Sequence, residues 1–308
     1  MKVNRVAIIG ECMVELKKAG DLYQQTFGGD TLNTALYLSR LTKAHGITTS
    51  YVTGLGQDPF SHQMLTAWRD EGIDTDLVHL SDSKLPGIYT ISTTPDGERS
   101  FSYWRNDSAA RYWLRDIAKA DLIKQLNQFD FVYLSGISLA ILPTDCRDML
   151  IEILTQCHRD GLTVAFDNNY RPTLWESPES ARAMYEKILR LTDIAFLTFD
   201  DEQALYGDKV EQEAVARTQA YGVKEIVIKR GANACFVVTT DDVIHVPATS
   251  VSNVVDTTAA GDSFSAAYLA KRLLNGSMSE SAAAGHTLAG TVIQHPGAVI
   301  PHQAMPTI

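Results

Sequence analysis

Hydrophobic positions along the chain follow two rhythms. Short runs rich in β-branched and aromatic residues, at 5–9, 48–52, 129–134, 163–166, 194–197 and 225–229, read as strands. Longer runs between them repeat apolar positions every three or four residues and predict helices over 31–41, 59–71, 144–159, 178–191 and 211–221. This alternation implies a parallel sheet covered by helices on both faces, since each strand must be followed by a crossover to the same end.

Two stretches depart from the rhythm. Residues 87–93 and 100–104 alternate at period two around Pro95-Asp96-Gly97, a turn-forming sequence, and read as a β-hairpin. Residues 11–27, between the first strand and the first long helix, also read as extended. A small sheet of this kind cannot bury both faces alone and serves as a lid or an interface. With no internal repeat, low-complexity segment or linker, the expectation is one domain over 1–308 with lid segments at about 11–27 and 87–104.

Composition adds limits. The chain has 308 residues, of which 45% are apolar and 21% charged, an ordinary globular balance. Its 27 basic against 37 acidic residues leave a formal charge of −10, so neither nucleic acid nor an anionic membrane surface is expected as the main partner. An anionic substrate would have to be captured by local cations. Cys12, Cys146, Cys157 and Cys235 show no C-x-x-C spacing and read as buried free thiols of a reducing compartment. The apolar run at 6–9 stops at Gly10-Glu11, too short for a signal peptide. The run at 131–142 is broken by Ser135-Gly136 and falls short of the ~20 residues of a membrane span. A soluble, cytoplasmic protein is expected.

Candidate chemistry concentrates in Val255-Asp256-Thr257-Thr258-Ala259-Ala260-Gly261-Asp262-Ser263-Phe264. The small residues allow close approach of a ligand, and the Ala- and Leu-rich run that follows reads as a helix whose first N–H groups would hold a phosphate. Asp262 is either a plain N-cap or a proton acceptor for a hydroxyl attacking that phosphate. Lys229-Arg230-Gly231-Ala232-Asn233-Ala234, between two strands, is either a β-turn or a second stretch close to a ligand. No G-x-x-x-x-G-K-[ST] or G-x-G-x-x-G pattern is present, which argues against a P-loop NTPase or a dinucleotide fold. Phe27-Gly28-Gly29-Asp30-Thr31-Leu32-Asn33 is either a capped turn or a backbone brought to sugar hydroxyls, with Asp30 and Asn33 as polar contacts.

Gly28-Gly29-Asp30 with Asn33, then Asp167-Asn168-Asn169, then Asp256-Thr257-Thr258-Ala259-Ala260-Gly261-Asp262 resemble, in order, the signatures of the ribokinase-like (pfkB) carbohydrate kinases. The resemblance covers essentially the whole chain and implies an α/β fold: a Rossmann-like, mainly parallel sheet flanked by helices, with a small β lid. Residues 9–13, 27–33, 103–106, 134–140 and 167–172 are similar to those members that phosphorylate an acid sugar, 2-dehydro-3-deoxy-D-gluconate, at its 6-hydroxyl, a step of hexuronate breakdown feeding the Entner–Doudoroff route.

The resemblance makes Asp262 the base and the N–H groups of Ala260, Gly261 and Asp262 the anion hole. Sugar contacts would come from Gly28, Gly29, Asp30, Asn33, Tyr89, Tyr103, Arg105, Arg171 and Asp262. ATP would lie against Asn169, Lys229, Gly231, Ala234, Ala259, Ala260, Gly261, Gly285 and His286, with Mg2+ bridging its phosphates mainly through water. Asp256 falls where related kinases hold a monovalent cation such as K+, and a homodimer through the lid sheet is implied. One departure stands out: where the family often carries N-x-x-E, this chain has Thr198-Phe199-Asp200-Asp201-Glu202, so that Asp201 or Glu202 would stand in, unless both belong to a solvated acidic helix start. Arg105 and Arg171 suit a sugar carboxylate, because a guanidinium offers planar paired donors. The alternatives are a kinase of a neutral sugar such as fructose or ribose, and a non-catalytic sugar or nucleotide sensor.

Overall fold

The computed structural model describes residues 3–93 and 99–308; the Pro95-Asp96-Gly97 turn lies outside the described residues. Fourteen strands occur among the described residues: β1 Arg5–Ile9, β2 Met13–Ala19, β3 Leu22–Gly28, β4 Thr48–Leu55, β5 Ile73–Asp74, β6 Val78–Leu80, β7 Ile88–Thr93, β8 Arg99–Trp104, β9 Phe131–Ser135, β10 Thr163–Asp167, β11 Ile194–Thr198, β12 Glu225–Lys229, β13 Cys235–Val238 and β14 Val243–Val246. The large sheet runs β14-β13-β12-β11-β10-β9-β1-β4-β5, with β6 also paired to β4; the small one runs β3-β2-β7-β8.

From β12 to β5 the large sheet is parallel, as the strand–helix alternation predicts, while β13 and β14 are added antiparallel at one edge. The parallel strands are buried on both faces, and their period of two sorts side chains into two cores. Ala7, Ile9, Val132, Leu134, Val164, Phe166, Ala195 and Leu197 pack into one core. Val6, Ile8, Phe131, Tyr133, Ala165 and Phe196 pack into the other. Helix starts are fixed locally: the Asp58 carboxylate accepts from the Phe60 and Ser61 N–H groups, and Ser177 and Ser277 form capping boxes. Residues 11–27 fold into β2 and β3, and the expected hairpin is β7 with β8, where Tyr89 pairs with Tyr103.

Helices Lys119–Leu126 and Met278–Val292 were not foreseen from the pattern. The second is made largely of Ala, Gly, Ser and Thr, so it shows no contrast between an apolar and a polar face. All four cysteines are buried free thiols. Among the described residues, no helix is long and apolar enough to cross a membrane.

Candidate active site

The last residues of β9, β10, β11 and β12 are Ser135, Asp167, Thr198 and Lys229. Register sets Asp167 beside Ser135 and Thr198 beside Lys229. Beyond these strand ends, where open α/β sheets place their ligands, lies a cavity of about 910 Å³. Its floor includes the first residues of helices Asp30–Thr42 and Ala260–Leu273, and Tyr89, Phe101, Tyr103 and Arg105 of and beside the small sheet close one end.

Ala259 caps the helix Ala260–Leu273 in a left-handed conformation, φ 60°, with no side-chain capping hydrogen bond. This settles one alternative, because Asp262 lies inside the first turn and is not the N-cap. The left-handed turn donates the Ala260 N–H to the Thr257 carbonyl at 3.2 Å, and the Ser263 N–H reaches the Ala259 carbonyl at 2.9 Å. Gly261 and Asp262 therefore supply the N–H groups left at the cavity floor, and Ala260 is corrected out of the expected anion hole. A Cβ on Gly261 would meet only Lys229 Nζ, at 3.5 Å. Packing gives no reason for glycine here, although glycine in a helix costs about 0.5–1 kcal/mol relative to alanine. What it leaves is bare backbone facing the cavity.

The Asp262 carboxylate, half-buried at the floor, accepts a 2.8 Å hydrogen bond from the Asn33 amide. Burial raises its pKa above the usual carboxylate range, and the neighbouring charges of Asp30 and Asp167 push it the same way; Asn33 and Lys229 oppose them. A carboxyl so tuned is a stronger proton acceptor once ionised.

At the end of the cavity near the small sheet, Asp30 Oδ2 accepts from Ser135 Oγ at 2.6 Å and from Asn169 Nδ2 at 2.7 Å. Asn169, at φ 29°, is thus tied to Asp30. Gly28 and Gly29 also line the cavity, but each is demanded by packing. A Cβ would lie 2.1 Å from the Tyr89 hydroxyl in the first case and 2.2 Å from the Glu11 carbonyl in the second. The Tyr89 hydroxyl donates to Glu15, and its ring stacks on Tyr103 at 5.7 Å.

The two expected carboxylate traps differ in state. Arg105 lines the cavity with a 9% exposed side chain but is paired with Glu11, at 1%, which also accepts from Ser108. The Arg105 Nε has no partner. Arg171, half-exposed, donates to the Tyr170 carbonyl at 2.8 Å and reaches Asp201 at 3.4 Å.

On the other side Gly231, Ala259 and His286 line the cavity with Phe264, and His286 Nε2 lies 3.1 Å from the Val246 carbonyl. Ala234 and Gly285 are not lining residues: Ala232 and Cys235 flank the cavity instead of Ala234, and Gly285 is needed because a Cβ would strike the Phe264 ring at 2.8 Å. Asp256 also lies off the cavity wall. Its carboxylate accepts from the Thr258 N–H at 2.9 Å and the Gly297 N–H at 3.1 Å, which ties two loops together.

Glu202 points away from the cavity, to Asn168 Nδ2 at 2.9 Å and Arg217 at 2.6 Å, so it braces the Asp167-Asn168-Asn169 turn. Asp200 and Asp201 face the cavity. Sequence reasoning gave no individual role to Asp167, whose carboxylate accepts from Lys229 and Ser265, and none to Glu11, the buried partner of Arg105. Neither pairing has a local signal, because each joins residues brought together only by the fold.

The sheet order, with a cavity that holds a cluster of polar side chains beside a helix start with exposed N–H groups, fits the class of phosphotransferases that act on a sugar hydroxyl. Residues 3–305 match the pfkB family carbohydrate kinases, and the chain belongs to that family. It is 52% identical over 309 residues to a 2-dehydro-3-deoxygluconokinase of Dickeya dadantii, covering 99% of this chain and 100% of the relative. It is 50% identical over 306 residues to the 2-dehydro-3-deoxygluconokinase of Escherichia coli K12, covering 98% and 99%. The structure resembles that of a fructokinase from Xylella fastidiosa with bound ATP, at TM-score 0.84 and 21% identity, over 99% of this chain and 96% of the other.

Proposed function

We propose that this chain phosphorylates 2-dehydro-3-deoxy-D-gluconate on its 6-hydroxyl with ATP, a reaction of hexuronate breakdown feeding the Entner–Doudoroff route. The observation that carries the reading is the Asn33–Asp262 pair at a helix start with exposed N–H groups, in one cavity with Arg105 and Tyr103. Identity at about half of all positions, over nearly the full length, to enzymes named for this substrate supports the acid sugar over a neutral one.

In this mechanism Asp262 orients the 6-hydroxyl and accepts its proton as the new O–P bond forms and the bond from the transferred phosphorus to ADP breaks. The Gly261 and Asp262 N–H groups donate to the oxygens of the phosphoryl group in transfer. Asp30 and Asn33 hold sugar hydroxyls, and the small sheet acts as a lid that keeps water from competing for the phosphoryl group. Asp200 and Asp201 are hard oxygen donors on the cavity wall, and among the described residues no three acidic, His or Cys side chains converge as a metal cage. That donor set suits a magnesium ion delivered with the triphosphate and held through water, whose role is to neutralise phosphate charge.

Large exposed apolar side chains on the small sheet, Leu22, Tyr23 and Trp104, suit its pairing with a second copy of the chain. Sedimentation should then give a dimer, and a monomer for Trp104→Glu.

The functional test is kcat/KM with ATP for 2-dehydro-3-deoxy-D-gluconate, fructose and ribose. The acid sugar should lead by at least an order of magnitude. A preference for either neutral sugar overturns the assignment, and absence of ATP consumption with all three would favour a sensor.

A further inference from the structure

The Lys229 ammonium lies beside Gly261 at the helix start, and the fold gives it a carboxylate to rest on. Its Nζ is 2.6 Å from Asp167 Oδ2 and 3.4 Å from Ser265 Oγ, with side-chain exposures of 9% for Lys229 and 4% for Asp167. The same Nζ is the nearest atom, at 3.5 Å, to the position a Cβ would take on Gly261, in the first turn of the helix whose start lines the cavity.

Asp167 is loaded unevenly. One oxygen, Oδ2, accepts from Lys229, from Ser265 Oγ at 2.9 Å and from the Tyr133 hydroxyl at 3.2 Å, while Oδ1 is buried without a partner. If the ammonium turned toward a phosphate, the carboxylate would keep two donors. A buried ion pair is weak as a stabilising device, since well-packed apolar residues often do as well. Its position in the cavity therefore calls for another explanation.

The charge balance of the cavity supplies one. Glu11, Asp30, Asp167, Asp200, Asp201 and Asp262 line it, so a triphosphate needs nearby cations. Arg105 is held by Glu11, Arg171 reaches Asp201, and Arg230 pairs with Glu211 at 2.7 Å, whereas the atom nearest a Cβ on Gly261 is Lys229 Nζ. Lys229 is the one lysine among the described lining residues.

We propose that Lys229 is a catalytic cation: its ammonium, held on Asp167, swings onto the phosphoryl group as that group passes from ATP to the sugar hydroxyl. It donates no proton. The hydroxyl proton goes to Asp262, the electron pair of the breaking bond leaves with ADP, and Lys229 offsets negative charge on the oxygens in transit. This inference rests on the kinase reading above and deepens it by naming the group that meets the transferred phosphate.

The test compares Lys229→Met and Lys229→Arg with the wild type in kcat, in KM and in calorimetric Kd for ATP and for ADP. Lys229→Met should lose about 10²–10³ in kcat, the range expected when one aimed donor is removed from a developing charge. Its affinity for ATP should fall about tenfold more than its affinity for ADP, because only ATP carries the group the ammonium meets. Lys229→Arg should recover part of both losses. The double variant Lys229→Met/Asp167→Asn removes both charges and should show the same ATP-selective loss even if the single variant folds poorly. A kcat within about threefold of wild type, or equal weakening of ATP and ADP, overturns the proposal and leaves Lys229 as a structural partner of Asp167. The ATP-against-ADP comparison needs no acceptor sugar, so it stays decisive even if the sugar assignment fails.

Discussion

The Asn33 amide donates to the Asp262 carboxylate across 2.8 Å, although the two residues are 229 positions apart in the chain. The bond joins the first turns of helices Asp30–Thr42 and Ala260–Leu273, so under the proposed mechanism the residue that would hold the sugar would also aim the base. It also favours the ionised carboxylate against a setting in which burial and two other carboxylates raise its pKa.

Replacing Asn33 by Ala should remove this aim and this charge stabilisation together. We expect kcat to fall about 10–100-fold, less than for loss of the base itself. The acid limb of kcat/KM against pH, expected above the ordinary carboxylate range in the wild type, should move to higher pH in the variant. An acid limb that stays in place would remove Asn33 from control of the base.

Asp262 also makes stability depend on pH, with a definite sign. Because its folded pKa is raised above the unfolded value of about 3.9, the folded state favours the neutral carboxyl. The contribution is fully present below the unfolded pKa and is lost as pH rises through the folded one. Asp262→Asn does not titrate, so its Tm should match the wild type near pH 4 and exceed it increasingly toward pH 8. Equal Tm differences at both ends would contradict the raised pKa.

Gly261→Ala separates fold from function. A Cβ there meets only the end of the Lys229 side chain, so the helix should gain about 0.5–1 kcal/mol. Activity should nevertheless fall at least tenfold, because the methyl occupies the space assigned to the phosphate. A stabilised and fully active variant would place the phosphate elsewhere.

Arg105→Ala should strand Glu11, whose side chain is 1% exposed, and cost about 3–5 kcal/mol by chemical denaturation. Glu11→Gln/Arg105→Met, which removes both charges, should restore most of that stability. If Arg105 also reads the sugar carboxylate, the double variant should show a raised KM for the acid sugar with little change for ATP.

The strands at 5–9 and 225–229 and the helix at 144–159 coincide with the sequence pattern from end to end, because burial on both faces or on one stripe writes itself into local periodicity. The motif residues Asp30, Asn33, Gly261 and Asp262 were equally legible and meet in one cavity. Lys229 was legible only as a member of a ligand-facing stretch. Its pairing with Asp167, 62 positions away, follows from strand order and register, neither of which leaves a local trace. Arg105 shows the opposite failure: its type and place suit an anion, but nothing nearby announces that Glu11 already holds it. The helix start at Ala260 likewise depends on the left-handed turn at Ala259, a conformation that alanine seldom takes and that composition does not signal.

The most direct test of the account is the turnover of Asp262→Asn with saturating ATP and 2-dehydro-3-deoxy-D-gluconate, alongside binding of both ligands. The account predicts a loss of about 10²–10⁴ in kcat with both ligands still bound, since the amide keeps the shape and the Asn33 contact but cannot take the proton. Turnover near the wild-type rate would contradict it.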